Sequence, residues 1–138
     1  KLDDPGHILN RAFKGGGFWH KDEIYQYKPE TYVGTGKLRV LVSLDLNKAQ
    51  TMKPLERNEG LKKQYTEGGR TVPVSWIRTF EGGRVFYTNL GHNESTYWNP
   101  AVLRHYLDGL QYALGDLEAD ATPSSKIKRK EVLAPAAP

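Results

Sequence analysis

The sequence predicts one α/β domain. Three stretches predict it: a β-hairpin over 72–90, an apolar strand over 38–46 and a capped amphipathic helix over 99–115. In the hairpin, Val72, Val74, Trp76, Ile77 and Phe80 are β-branched, apolar or aromatic, with polar residues between them. Glu81-Gly82-Gly83 supplies the turn, because glycine accepts the positive φ that a tight hairpin needs. Arg84 to Leu90 resumes as a second strand, and Gly91-His92 ends it.

The strand Leu38–Leu46 (LRVLVSLDL) is apolar enough to be central in a sheet. It closes on Asp45, and ligands in open α/β sheets gather at the carboxyl ends of strands. The helix has clear boundaries. Asn99 is a good N-cap, Pro100 suits the first helical position, and Gly115 is a natural C-terminal stop. Val102, Leu103, Tyr106, Leu107, Leu110, Ala113 and Leu114 recur at helical spacing and give one apolar face. His105 falls off that stripe and is expected to face solvent.

The remaining segments are less regular. Lys1 to Phe13 reads as loop with one helical turn, and Phe18 to Lys28 as a strand. Between them, Lys14-Gly15-Gly16-Gly17 has neither the preceding strand nor the Lys-Ser/Thr that a phosphate-cradling loop requires. Residues 47–70 form a long polar excursion, a kind of segment that is often functional or mobile. A domain over 1–119 is expected, followed by a basic, Ala/Pro-rich tail over 120–138 whose composition favours an extended or disordered chain.

Composition narrows the function classes. The formal net charge is +4, but the tail alone sets Lys126, Lys128, Arg129 and Lys130 against Glu131. The body is therefore close to neutral and offers no basic, aromatic-interleaved face for nucleic acid. No apolar run approaches the ~20 residues that span a bilayer. The absence of cysteine removes thiol nucleophiles, disulfides and thiolate metal sites. There is no nucleophile elbow. The first residue is Lys1 and no signal peptide precedes it, so a processed or truncated piece is expected.

The chemistry concentrates around the hairpin and its exit loop, His92-Asn-Glu-Ser-Thr-Tyr-Trp98. A loop between a strand and a helix N-terminus is a common place for ligand groups. His92 there suits a ligand contact, proton transfer or a backbone-bonded structural role. Asp22 and Glu23 lie among aromatic residues, where a buried carboxylate needs a partner. Arg78 and Arg84 are candidate partners, as an ion pair or as an anion site. Trp76 and Tyr87 read as part of the core, Tyr97 and Trp98 as better ligand platforms. His7 and His20 show no paired spacing, and a metal site is not expected.

These same residues carry a family resemblance. The run PVSWIRTFEGGRVFYTNLGHNESTYWNPAVLRHYLDGLQYALGD resembles the C-terminal signature of the trehalose-utilisation (ThuA-like) family. DPGHILNRAF followed by KDEIYQYK is similar to that family's Asp-Pro-x-His and Asp-Glu-x-Tyr segments, in the same order. One departure is Ile8, where the family usually has proline. The resemblance implies a flavodoxin-like, class I glutamine amidotransferase-like three-layer fold, present here as its C-terminal part. It also implies a link to disaccharide or glycoside metabolism. The matching positions are His7, Asp22, Glu23, Tyr25, Trp76, Arg84, Tyr87, Gly91 and His92.

On this basis Glu23 and His92 are expected as an acid/base pair, with Arg84 holding Glu23 or an anionic group. His7, Asp22, Tyr25, Trp76, Arg84 and Trp98 are expected to bind a sugar derivative. No cofactor or metal is expected. The expected partners are a small sugar ligand, a preceding segment or chain, and further copies of the chain itself, in a secreted or periplasmic setting or otherwise in the cytoplasm. The alternative is a non-catalytic carbohydrate-binding or assembly module, since fold does not fix function.

Overall fold

The hairpin organises the structure, a computed structural model that describes residues 1–25, 27, 36–66, 71–128 and 130–136. Three strands form its sheet: β1 (Arg39–Ser43), β2 (Pro73–Phe80) and β3 (Gly83–Thr88). All pairs are antiparallel and β2 is in the middle. The turn between β2 and β3 uses Glu81 at φ 48° and Gly82 at φ 80°. Two consecutive left-handed residues match the right-handed twist of the flanking strands.

Helices complete the mixed α/β architecture: α1 (Ala49–Met52), α2 (Glu59–Thr66) and α3 (Pro100–Leu114). Helix α3 packs on β3 and on a 3-10 turn at Ile8–Phe13. As expected, the Asn99 side chain accepts from the Ala101 and Val102 amides, and Gly115 closes the helix in the left-handed conformation. Leu41, Ile77 and Tyr112 lie in the core between sheet and helix. Leu38, Val40 and Trp76, with Val85 and Tyr87, form a second cluster. Close approach of α3 depends on Gly109, where a Cβ would sit 2.3 Å from the Phe86 ring.

Several expectations are corrected. No strand forms among the described residues of 18–28. That segment is held by scattered side-chain bonds, such as Asn93 Nδ2 to Lys21 O and Asn89 Nδ2 to Tyr25 O, and not by a ladder. Strand β1 is shorter than 38–46 and is not the central strand. Its outer edge is instead covered by residues 1–3, with Asp3 N donating to Leu41 O and Ser43 N to Lys1 O. The excursion over 47–70 carries α1, a 3-10 turn and α2 in its described part.

The largest correction concerns α3. Its buried residues are Val102, His105, Asp108, Gly109 and Tyr112, while Leu103, Leu107, Leu110 and Leu114 are exposed. His105 is therefore inside, not in solvent. Its burial is sustained by two hydrogen-bonding contacts, Nδ1 to Leu9 O at 2.7 Å and Nε2 to Ser75 Oγ at 2.8 Å. Asp108 is sustained by Arg11 and Arg104, at 2.7 and 2.9 Å. His105 and Asp108, each with its side chain bonded, have taken the inner face.

The segment after Gly115 returns over the body, although its composition favours solvent. Ser124 N donates to Leu38 O, Val132 pairs with Leu2, and buried Ala134 donates its amide to Asp45. Among the described residues, no helix is long and apolar enough to cross a membrane.

Candidate functional site

Asp22 determines the shape of the exit loop. Its side chain is fully buried, and its carboxylate accepts three successive loop amides: Gly91 at 2.8 Å, His92 at 3.2 Å and Asn93 at 2.8 Å. Thr96 Oγ1 donates to it at 2.8 Å, His20 Nε2 lies 3.1 Å away, and the Glu23 amide donates at 2.9 Å. Burial opposes the charge of Asp22 more than any other single influence. The bonds from Asn93, Thr96, His20 and Glu23 together outweigh it and hold the carboxyl well below the usual carboxylate range.

The loop is therefore folded around a buried anion, as a helix N-terminus folds around a capping carboxylate. Gly91 is required because Tyr106 and Tyr97 close over it. A Cβ there would lie 2.7 Å from the Tyr106 hydroxyl and 3.0 Å from that of Tyr97. Those hydroxyls donate to Leu90 O and Gly91 O.

Glu23, next in the chain, faces outward. Its Oε2 is 2.8 Å from His92 Nδ1, with the His92 and Glu23 side chains 60% and 51% exposed. The two adjacent carboxylates thus divide the work. Asp22 fixes the backbone of the loop, and Glu23 meets the imidazole that the loop presents. A cleft of about 410 Å³ lies on the Asp22 side of the loop, lined by Trp19, His20, Asp22, Asp45 just past β1, and Gln50 and Thr51 of α1; neither Glu23 nor His92 lines it. An acid and a base in contact on an exposed face can exchange a proton with a group bound against them.

The sequence model of the trehalose utilisation (ThuA) family matches residues 1–113, which include the Asp22 clamp, the Glu23–His92 pair and nearly all of α3. The chain belongs to the ThuA family. That membership points to a carbohydrate-related role, trehalose utilisation being the description of the family. No curated protein and no solved structure matches it.

The structure of this ThuA-family chain brings together only part of the expected set. Asp22, Glu23 and His92 converge, and Trp98 ends the same loop, on the 3-10 turn Glu94–Trp98, 76% exposed. Tyr25 is exposed two residues beyond Glu23. His7 is engaged elsewhere. Its Nδ1 accepts from the Leu9 amide and its Nε2 bonds Asp120 O, so it caps a 3-10 turn; burial, first of several influences, pushes its pKa down. Trp76 is buried against Tyr87, ring centroids 5.0 Å apart. Arg84 pairs with Glu118 at 2.6 Å, not with Glu23, and lies over the Tyr112 ring. Arg78 lies over Phe80.

His20, Asn93 and Thr96 complete the candidate site; the sequence offers no motif for the last two and shows His20 only as a histidine without paired spacing. Their partner Asp22 is about 70 residues away from two of them, and no local motif announces such a contact. Among the described residues, no group of three or more His, Asp or Glu side chains is arranged to hold a metal ion.

Proposed function

We propose that this chain binds a sugar derivative, a disaccharide or 3-keto-glycoside, against the exposed Glu23–His92 face of the clamped loop and transforms it by acid/base chemistry. The observation that supports this reading is the 2.8 Å contact between Glu23 and His92 on a loop fixed by a buried carboxylate. Preorganisation of that kind is what proton transfer requires, because the loop does not have to be ordered when substrate arrives.

In this mechanism the Glu23 carboxylate takes the proton from the carbon next to the keto group. His92, as the general acid, then donates a proton to the developing enolate oxygen. Asp22 is a positioning residue, acting through the amides of 91–93. Trp98 supplies an exposed aromatic face against which a sugar ring stacks. The flavodoxin-like three-layer arrangement belongs to the same proposal, with this chain as its C-terminal part and a preceding segment or chain completing the sheet.

The test is deuterium incorporation from D2O next to the carbonyl of a 3-keto-glycoside, followed by NMR. The wild-type chain is expected to exchange that position, and Glu23→Gln and His92→Ala to lose at least about 100-fold of the rate. Unchanged exchange in both variants would defeat the assignment.

A non-catalytic carbohydrate-binding module is favoured by one observation: both members of the pair are more than half exposed, so the site as described does not exclude water. Saturable sugar binding without exchange would select that reading.

A further inference from the structure

The cleft on the Asp22 side of the exit loop, about 410 Å³, has the size of a small-molecule site, which runs from about 300 to 1,000 Å³. Much of its lining is apolar, with Trp19, Ile24, Leu44, Pro54 and Leu90 contributing. Asp45 stands out among them. It is 4% exposed and accepts two backbone amides, from Asn47 at 3.2 Å and Ala134 at 3.1 Å. A carboxylate offers about four acceptor sites, and among the described residues no Lys, Arg or His side chain pairs with this one. Buried carboxylates are ordinarily paired, so a bound donor would complete the set. Three further polar side chains line the same cleft. Gln50 and Thr51, on α1, have side chains with no hydrogen bond among the described residues. His20 spends Nε2 on Asp22 and Thr96, which leaves its Nδ1.

We propose that this cleft is a second ligand site, separate from the Glu23–His92 face, and that it takes a neutral hydroxylated ring compound. Charge selects neutrality. Asp22 and Asp45 line the cleft together with Lys1 and Lys21, so an anion meets the Asp45 carboxylate and a cation meets the lysines. Hydroxyls suit every open polar group. A hydroxyl donates to Asp45 and to His20 Nδ1, and it both donates to and accepts from Thr51 and Gln50. Trp19 accounts for the ring. Its indole N–H is spent on Ala136 O at 3.2 Å, so it adds an aromatic face to the lining and not a donor. The C–H face of a saturated ring packs against such a surface. The Asp22 carboxylate does not compete for the ligand, since the amides of Gly91, His92, Asn93 and Glu23, with Thr96 and His20, already surround it.

Neither Glu23 nor His92 lines the cleft, so its test is independent of the acid/base reading. The 15N-labelled full chain is titrated with glucose, myo-inositol, cyclohexylammonium and cyclohexanecarboxylate, following the Trp19 indole and the amides of Gln50 and Thr51. Saturable shifts of those signals are expected with glucose or with myo-inositol, whichever binds naming the sugar or the cyclitol as the source of the hydroxyls. Neither ion should produce them at the same concentration. Asp45→Asn and, separately, Thr51→Val should each raise the Kd by about tenfold or more, as loss of a hydrogen bond to the ligand does. His92→Ala should leave it unchanged. Thr51→Val keeps the shape of a half-buried side chain that has no bond within the chain, so its melting curve should match that of the wild type and keep the result readable if Asp45→Asn melts early. Tighter binding of either ion, no saturation by either neutral compound, or an affinity indifferent to Thr51→Val would each overturn the proposal.

Discussion

Asp22 and Glu23 are neighbours of the same chemical class with opposite fates. Removing the buried one leaves three loop amides and the Thr96 hydroxyl without their acceptor. Asp22→Ala is therefore expected to cost about 3 kcal/mol or more in urea unfolding. Glu23→Gln, at an exposed pair, should cost less than about 1 kcal/mol. Equal losses would contradict the division of roles. Acid should act in two stages. Burial depresses His105 and His7 below the usual 6.5, so the unfolded chain binds their protons first and stability falls as pH drops through about 6.5. Asp22 lies below its usual 3.8, so its contribution is lost only as pH falls further, below that value. Asp108, against the cost of its burial, and Asp120 are likewise held below 3.8, by their bonds to Arg11 and Arg104 and to Thr122 respectively, so a stability-versus-pH curve of Asp22→Asn should keep the upper stage and lose only the Asp22 share of the lower one. At this scale the residue types of the pair were legible, because Asp-Glu and Leu-Gly-His stand out in the chain. The role of Asp22 as a clamp was not, since it consists of contacts spanning some 70 positions.

Elements with local causes were the ones the sequence announced. The Glu81-Gly82 turn, the Asn99-Pro100 start and the Gly115 stop of α3 all depend on backbone chemistry within a few residues. Which face of α3 turns inward is not local. Periodicity reveals that leucines share a face, and only the body decides whether that face meets the sheet or a different partner. Here His105 and Asp108 found bonded sites inside, and the leucines were left outside. The same reasoning explains the segment 18–28, whose aromatic pattern suggests a strand but whose described residues form no ladder. Two substitutions test the elements. Gly109→Ala should destabilise by about 1–3 kcal/mol, because the new methyl group meets the Phe86 ring. Glu81→Asn should stabilise by a few tenths to about 1 kcal/mol, since asparagine tolerates the left-handed conformation better. Thermal melts report both signs.

Across the whole molecule, one buried cation adds to the backbone bonds that tie the first residues and the returning segment to the sheet. Arg39, on β1, bonds Asp4, Asp120 and the Thr122 carbonyl, joining the first residues, the sheet and the returning tail. Its side chain is almost entirely buried, and Arg39→Leu should cost about 3 kcal/mol or more by leaving Asp4 unpaired. Limited proteolysis of that variant should cut first after 120. Composition concealed this arrangement, because a tail of Ala, Pro, Ser and Lys carries few apolar groups and docks mainly through backbone bonds.

The central claim is that sugar binds at the loop held by Asp22. The most direct measurement is a titration of the 15N-labelled chain with disaccharides and their 3-keto forms, following the amides of Gly91, His92 and Asn93. The account predicts saturable shifts at those amides and at the Trp98 indole, abolished by His92→Ala. Shifts confined to other residues, or none at millimolar ligand, would contradict it.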